Sequence, residues 1–182
     1  MIVAPEEGLK LVALARKQLL AHYGIESSTT EAQVRAPGPV GGLFATLERD
    51  GELRGCIGFL RSDEALSVLA SRAVVAAATE DPRFERMRKQ ELAGVRITIT
   101  VLTPPVRLCR PDEIEIGRDG LIVERDTARG LLLPRVAVER NWDRERFLDE
   151  TCIKAGLPPT SWCDGRTCVM RFQAVSFTEA AE

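Results

Sequence analysis

Leu43-Phe44-Ala45-Thr46-Leu47-Glu48-Arg49-Asp50-Gly51-Glu52-Leu53-Arg54-Gly55-Cys56-Ile57-Gly58-Phe59 decides how this chain folds. Two strand-like runs flank Asp50-Gly51, and that pair suits the positive φ a type I′ turn needs at both central positions. The stretch reads as a hairpin of Leu43 to Glu48 against Leu53 to Phe59. A two-residue loop sets Ala45 opposite Cys56 and Leu47 opposite Arg54. In that register Arg54, Cys56 and Gly58 share a face with Leu43, Ala45 and Leu47, while Gly55, Ile57 and Phe59 share the other with Phe44. Both faces read as at least half covered. Two glycines around one cysteine thin the strand, so Leu53-Arg54-Gly55-Cys56-Ile57-Gly58 marks a place where another backbone, side chain or ligand comes close.

Upstream of the hairpin, Leu9, Val12, Ala13, Leu19 and Leu20 recur at helical spacing between Pro5 and Gly24, which predicts an amphipathic helix over 6–23. Residues 25–42 end in Pro37-Gly38-Pro39-Val40-Gly41-Gly42 and read as a long surface connection that a partner or ligand could order. Downstream, Ser62 or Asp63 caps a helix running to about Thr79. Its Ala70, Ala73, Val74, Ala77 and Ala78 permit close packing on a sheet, and Glu80-Asp81-Pro82-Arg83-Phe84 ends it. Val95, Ile97, Ile99 and Val101 alternate with Arg96, Thr98 and Thr100, so a half-buried strand follows and halts at Pro104-Pro105.

From Ile114 to Leu133, apolar runs broken by Gly117, Asp119-Gly120 and residues 126–130 predict a meander of short strands. A helix from Arg144 to Ala155, capped by Asp143 and stopped by Gly156, precedes Pro158-Pro159. A last strand spans about Val169 to Phe177. Helices and antiparallel hairpins intermingle without βαβ alternation, so the class is α+β, with mixed, largely antiparallel sheets and flanking helices.

The 182 residues suffice for one substantial core or for two small subdomains. With 25 basic against 27 acidic side chains, the chain exerts no broad pull on nucleic acid or an anionic membrane. The first residues lack a signal-peptide layout and no apolar run is long enough to span a bilayer, so the expected location is cytoplasmic. Five cysteines, an odd number without dense pairing, predict reduced thiols.

Cys56 is the sharpest chemical candidate: as a thiolate it could attack a carbonyl, pair with a partner thiol or ligate a metal. Arg54 could lower its pKa and grip a carboxylate or phosphate with two donors. His22 is the only histidine and sits at the end of the first helix, so base work would fall to Glu80 or Asp81, although an aspartate before Pro-Arg-Phe is more commonly a turn residue. Cys152, Cys163 and Cys168 loosely suggest a thiol cluster but lack the spacing of zinc knuckles. No dinucleotide or P-loop pattern appears, and no cofactor is expected. Trp142 and Trp162 read as core anchors.

Taken in order, Leu53-Arg54-Gly55-Cys56-Ile57-Gly58, Asp81-Pro82-Arg83-Phe84, Gly120-Leu121-Ile122-Val123, Gly130-Leu131-Leu132-Leu133-Pro134, Trp142 and Cys152-Ile153-Lys154-Ala155-Gly156-Leu157 give a pattern over nearly the whole chain. It resembles the AMMECR domain family, called AmmeMemoRadiSam system protein A in prokaryotes. Arg135 departs from the pattern, which leads one to expect glutamine there. The resemblance implies a single AMMECR domain over 1–182 built of two α+β subdomains, in a cytosolic or nuclear protein. It also implies association with a Memo-like protein and a radical-SAM protein, and no established reaction. The expectation is a small-molecule or peptide binding component with a cleft at Arg54, Gly55 and Gly58, lined or braced by Asp81, Arg83, Pro134 and Arg135. The alternatives are a thiol enzyme using Cys56 and a pure adaptor docking through residues 38–42.

Overall fold

Helix α1 (Pro5–His22) begins with a proline whose missing N–H costs nothing in a first turn, followed by Glu6 and Glu7 at the positive end of the helix. Its buried stripe is Leu11, Val12, Ala15 and Leu19, whereas Leu9 and Ala13, expected on that stripe, face solvent. A computed structural model describes residues 3–25, 34, 36, 38–60 and 64–180.

Strands β1 (Gly42–Arg49) and β2 (Glu52–Leu60) form the hairpin, with φ of 53° at Asp50 and 83° at Gly51. Its register corrects the sequence expectation. Arg49 pairs with Glu52 and Glu48 with Leu53, but Leu47 then pairs with Gly55, Thr46 with Cys56 and Phe44 with Gly58. Arg54 is the extra residue of a β-bulge, and a one-residue slip moves every later side chain to the other face. Cys56 and Gly58 therefore share a face with Thr46 and Phe44, while Gly55, Ile57 and Phe59 share theirs with Leu43, Ala45 and Leu47.

Strand β3 (Val95–Leu102) pairs antiparallel with β1, setting Thr98 beside Thr46 and Ile99 beside Ala45. Helix α2 (Leu66–Thr79) begins behind Ala65; the expected caps Ser62 and Asp63 lie outside the described residues. The alanine-rich face of α2 and the stripe of α1 join Leu43, Ala45, Leu47, Ile97, Ile99 and Val101 in one apolar core. The other face of β3, expected to be solvated, is covered as well. Thr98 and Thr100 are only 9% and 4% exposed, and their hydroxyls hydrogen-bond Thr178 and Ser176, each at 2.9 Å, on strand β7 (Cys168–Thr178).

The chain divides into two units, Met1–Leu102 with Val175–Glu182, and Thr103–Ala174. In the second, β4 (Val106–Arg107) and β5 (Asp119–Arg125) each pair antiparallel with β7, and β6 (Ala128–Leu132) pairs antiparallel with β5 across a turn at Asp126, φ 53°. Helix α3 (Pro134–Glu139), absent from the sequence reading, precedes α4 (Arg144–Lys154). Asp143 caps α4 by accepting from the Arg146 N–H at 2.8 Å, and Gly156, at φ 77°, follows its C-terminal end. Ile114, Leu121, Val123, Phe147, Leu148 and Cys152 form the second core. Helices with antiparallel strands make the fold α+β.

Candidate functional site

Among the described residues strand β2 has a neighbouring strand on one side only, so alternate N–H and C=O groups along its outer edge need other partners. At Cys56 a short loop supplies them. The Cys56 N–H donates to Asp81 Oδ2 at 2.8 Å, and Arg83 Nη2 lies 3.5 Å from the Cys56 carbonyl oxygen as its donor. Arg83 is held in turn: its Nε donates to Asp81 Oδ1 at 2.9 Å, its Nη2 to Oδ2 at 2.7 Å and its N–H to Oδ1 at 3.1 Å. Asp81 and Arg83 thus stand where a further strand would pair. The hydrogen bonds from Arg83 bring the Asp81 carboxyl down to about 2, helped by the Cys56 N–H and opposed by burial.

Arg54 closes its fork on an internal carboxylate. Its Nε and Nη2 donate to Glu91 Oε1 and Oε2 at 2.7 and 3.2 Å, and Nη1 donates to the Glu85 carbonyl at 2.9 Å. The Arg54 guanidinium lowers the Glu91 pKa most, with the Arg88 N–H adding to it. The two glycines answer to close approach. A Cβ on Gly55 would lie 2.1 Å from the Ala77 carbonyl oxygen of α2, and one on Gly58 would lie 2.3 Å from the Phe44 ring. Most of the hexapeptide is therefore accounted for by packing and hydrogen bonding.

The thiol is the exception. Cys56 is half-buried, and its Sγ accepts from Thr46 Oγ1 at 3.4 Å. The register continues this row through Thr98 to Thr178, and the next rung runs from Gly58 through Phe44 and Thr100 to Ser176. The face of the sheet turned away from α1 and α2 thus carries one thiol and five hydroxyls in order. Sequence reasoning missed this row because the bulge at Arg54 transfers Cys56 onto it; the alternating Thr98 and Thr100 were its only trace.

His22 lines a groove of about 630 Å³ with Leu14, Phe59, Val75 and Glu80, and Phe59 lies on the face of β2 opposite Cys56. The sole histidine and the thiol therefore serve different surfaces. Pro134 is buried in the first turn of α3 in the second unit, and Arg135 Nε lies 3.9 Å from Glu139 Oε1 on the same helix. Cys152 is buried, its thiol pushed up by that burial, whereas Cys163 is exposed and Cys168 half-buried. Among the described residues no group of three or more His, Cys, Asp or Glu side chains converges as a metal site. Trp142 and Trp162 pack on the second core, and Trp162 Nε1 donates to Asp149 at 2.8 Å.

Three comparisons bear on these features. The family profile AMMECR1 matches residues 12–177. A protein of Methanothermobacter thermautotrophicus is 43% identical over 187 residues, covering 96% of this chain and 95% of that relative. One of Methanopyrus kandleri is 43% identical over 185 residues, covering 96% and 89%. The crystal structure of an uncharacterized protein from Pyrococcus horikoshii is similar with a TM-score of 0.86 at 38% identity, over 97% of this chain and 93% of that one. The braced hexapeptide strand and its Asp81-Pro82-Arg83 clasp both lie within the matched span, and the chain belongs to the AMMECR1 family.

Proposed function

We propose that this chain is a cytoplasmic binding component that holds a small polar molecule or peptide segment on the Cys56 face of its first unit, in company with Memo-like and radical-SAM proteins. The observation that carries the reading is the row Cys56, Thr46, Thr98 and Thr178, in which the half-buried thiol and the exposed Thr178 stand at the two accessible ends while Thr46 and Thr98 are buried between them and hold the row in order. Hydroxyls both donate and accept, so such a row suits a ligand of mixed polarity.

Binding is favoured over catalysis because the groups a thiol enzyme would need are engaged. Asp81, the nearby carboxylate, is ionised far below neutrality with both oxygens occupied, so it makes a poor proton acceptor. Arg54 grips Glu91, and His22 lies at another surface. The partners are those that the resemblance of the sequence motifs implies.

The test is calorimetric titration of the chain with the purified Memo-like and radical-SAM proteins, comparing wild type with Ser176→Ala/Thr178→Val, the two exposed hydroxyls of this face. Loss of two hydroxyls from a bound ligand or partner should weaken association at least about tenfold. Equal affinity, with the melting temperature retained, would reject this face.

A further inference from the structure

Beside the hexapeptide lies a second concavity, of about 520 Å³, lined chiefly by Arg49, Arg54, Glu85, Arg86, Arg88 and Glu91. Four guanidiniums face two carboxylates, which leaves two positive charges uncompensated in its lining. Arg54 and Glu91 form the fixed base, their side chains 16% and 15% exposed. Arg88 Nη2 lies 3.6 Å from Glu85 Oε2, on a glutamate that is 87% exposed. Arg49 lies 3.6 Å from Glu91, whose carboxylate Arg54 already grips, and 3.5 Å from the exposed Asp50 outside the lining. Arg86 donates from Nε to the Thr79 carbonyl at 3.3 Å and has no carboxylate partner among the described residues.

We infer that this concavity binds the dianionic phosphate group of a small phosphomonoester through Arg49, Arg86 and Arg88. With Asp50 beside Arg49 the site still keeps a net positive charge, and three guanidiniums around one concavity can each meet an oxygen of a phosphate group, whereas a carboxylate offers only two. The planar fork of arginine suits phosphate oxygens, and its charge persists across the working pH range. Arg54 acts as a positioning residue, since its Nε, Nη1 and Nη2 each already donate and its ion pair neutralises the Glu91 carboxylate in the lining. The concavity does not include Cys56, so this inference stands apart from the proposal for the thiol face.

Glycerol 3-phosphate is the probe, titrated at low salt while the Nε–H signals of the arginines are followed by NMR. Saturable shifts confined to Arg49, Arg54, Arg86 and Arg88 are expected. Affinity should fall about tenfold between pH 7.5 and pH 5, because the ester takes up a proton near pH 6. Arg86→Gln/Arg88→Gln should weaken binding at least about fivefold without lowering the melting temperature, each lost charged hydrogen bond being costly. Absence of saturation, or unchanged affinity in that variant, overturns the inference. So does a single-stranded oligonucleotide that binds more tightly with no pH dependence, since backbone phosphates are monoanions throughout. Inorganic phosphate binding as tightly as the ester would overturn the ester as occupant.

Discussion

The Asp81 carboxylate receives Arg83 and the Cys56 N–H, and its pKa falls from 3.8 to about 2. A depressed folded-state value means that the stabilisation is present above the unfolded value and disappears as pH falls through about 2. The shift corresponds to about 2 kcal/mol, reduced to about 1 kcal/mol because Arg83 is half exposed and its charge is screened. Asp81→Asn should therefore unfold more readily in urea at pH 7, and its deficit against wild type should vanish near pH 2. A constant deficit across that range would mean that the carboxylate acts by shape alone. Arg54→Ala strands Glu91 in a largely buried position and should cost about 2–3 kcal/mol, read from urea midpoints. Both residues stood out in the sequence through their motifs, but their roles did not: Glu91 lies 37 positions beyond Arg54, and no local rule links the two.

At the scale of elements, the hairpin, α2 and α4 were legible because their signals are local: Asp50-Gly51, the alanine-rich run, and Asp143 with Gly156. The register was not. A bulge leaves no mark in an alternation whose two faces both carry mixed residues, and the slip at Arg54 moves Cys56 from the expected apolar neighbours to the threonine row. Helix α3 spans only six residues, fewer than two turns, and so shows no periodicity. The same geometry ranks the glycines. Gly55→Ala meets the backbone of α2, which cannot move aside cheaply, and should cost about 2–3 kcal/mol. Gly58→Ala meets a ring that can turn about χ1 and should cost about 1 kcal/mol or less. Thermal unfolding of the two variants side by side checks the order; an equal or reversed ranking would remove the close contact with α2 as the reason for Gly55.

Across the whole molecule, two apolar clusters stand where composition allowed either one core or two. The lack of βαβ alternation made the antiparallel α+β class readable, whereas the extent of each unit depends on long-range pairing that no short window contains. Phe147, fully buried in the second cluster, gives a direct test. Phe147→Ala should cost about 3–5 kcal/mol, and native-state hydrogen exchange should show the protection of β5 and α4 falling before that of β1. Simultaneous loss in all three would make the molecule one cooperative body.

The first unit is discontinuous: Glu179 reaches back to the Arg16 guanidinium and accepts from the Ile97 N–H at 2.9 Å, and Thr178 meets Thr98. Synthesis on the ribosome runs from the N-terminus, so residues 103–174 emerge as a complete set while residues 3–102 still wait for their last strand segment. Of the two units, the one begun earlier is the later to close, and during that interval β3 presents a bare edge that a chaperone or a neighbouring nascent chain can reach.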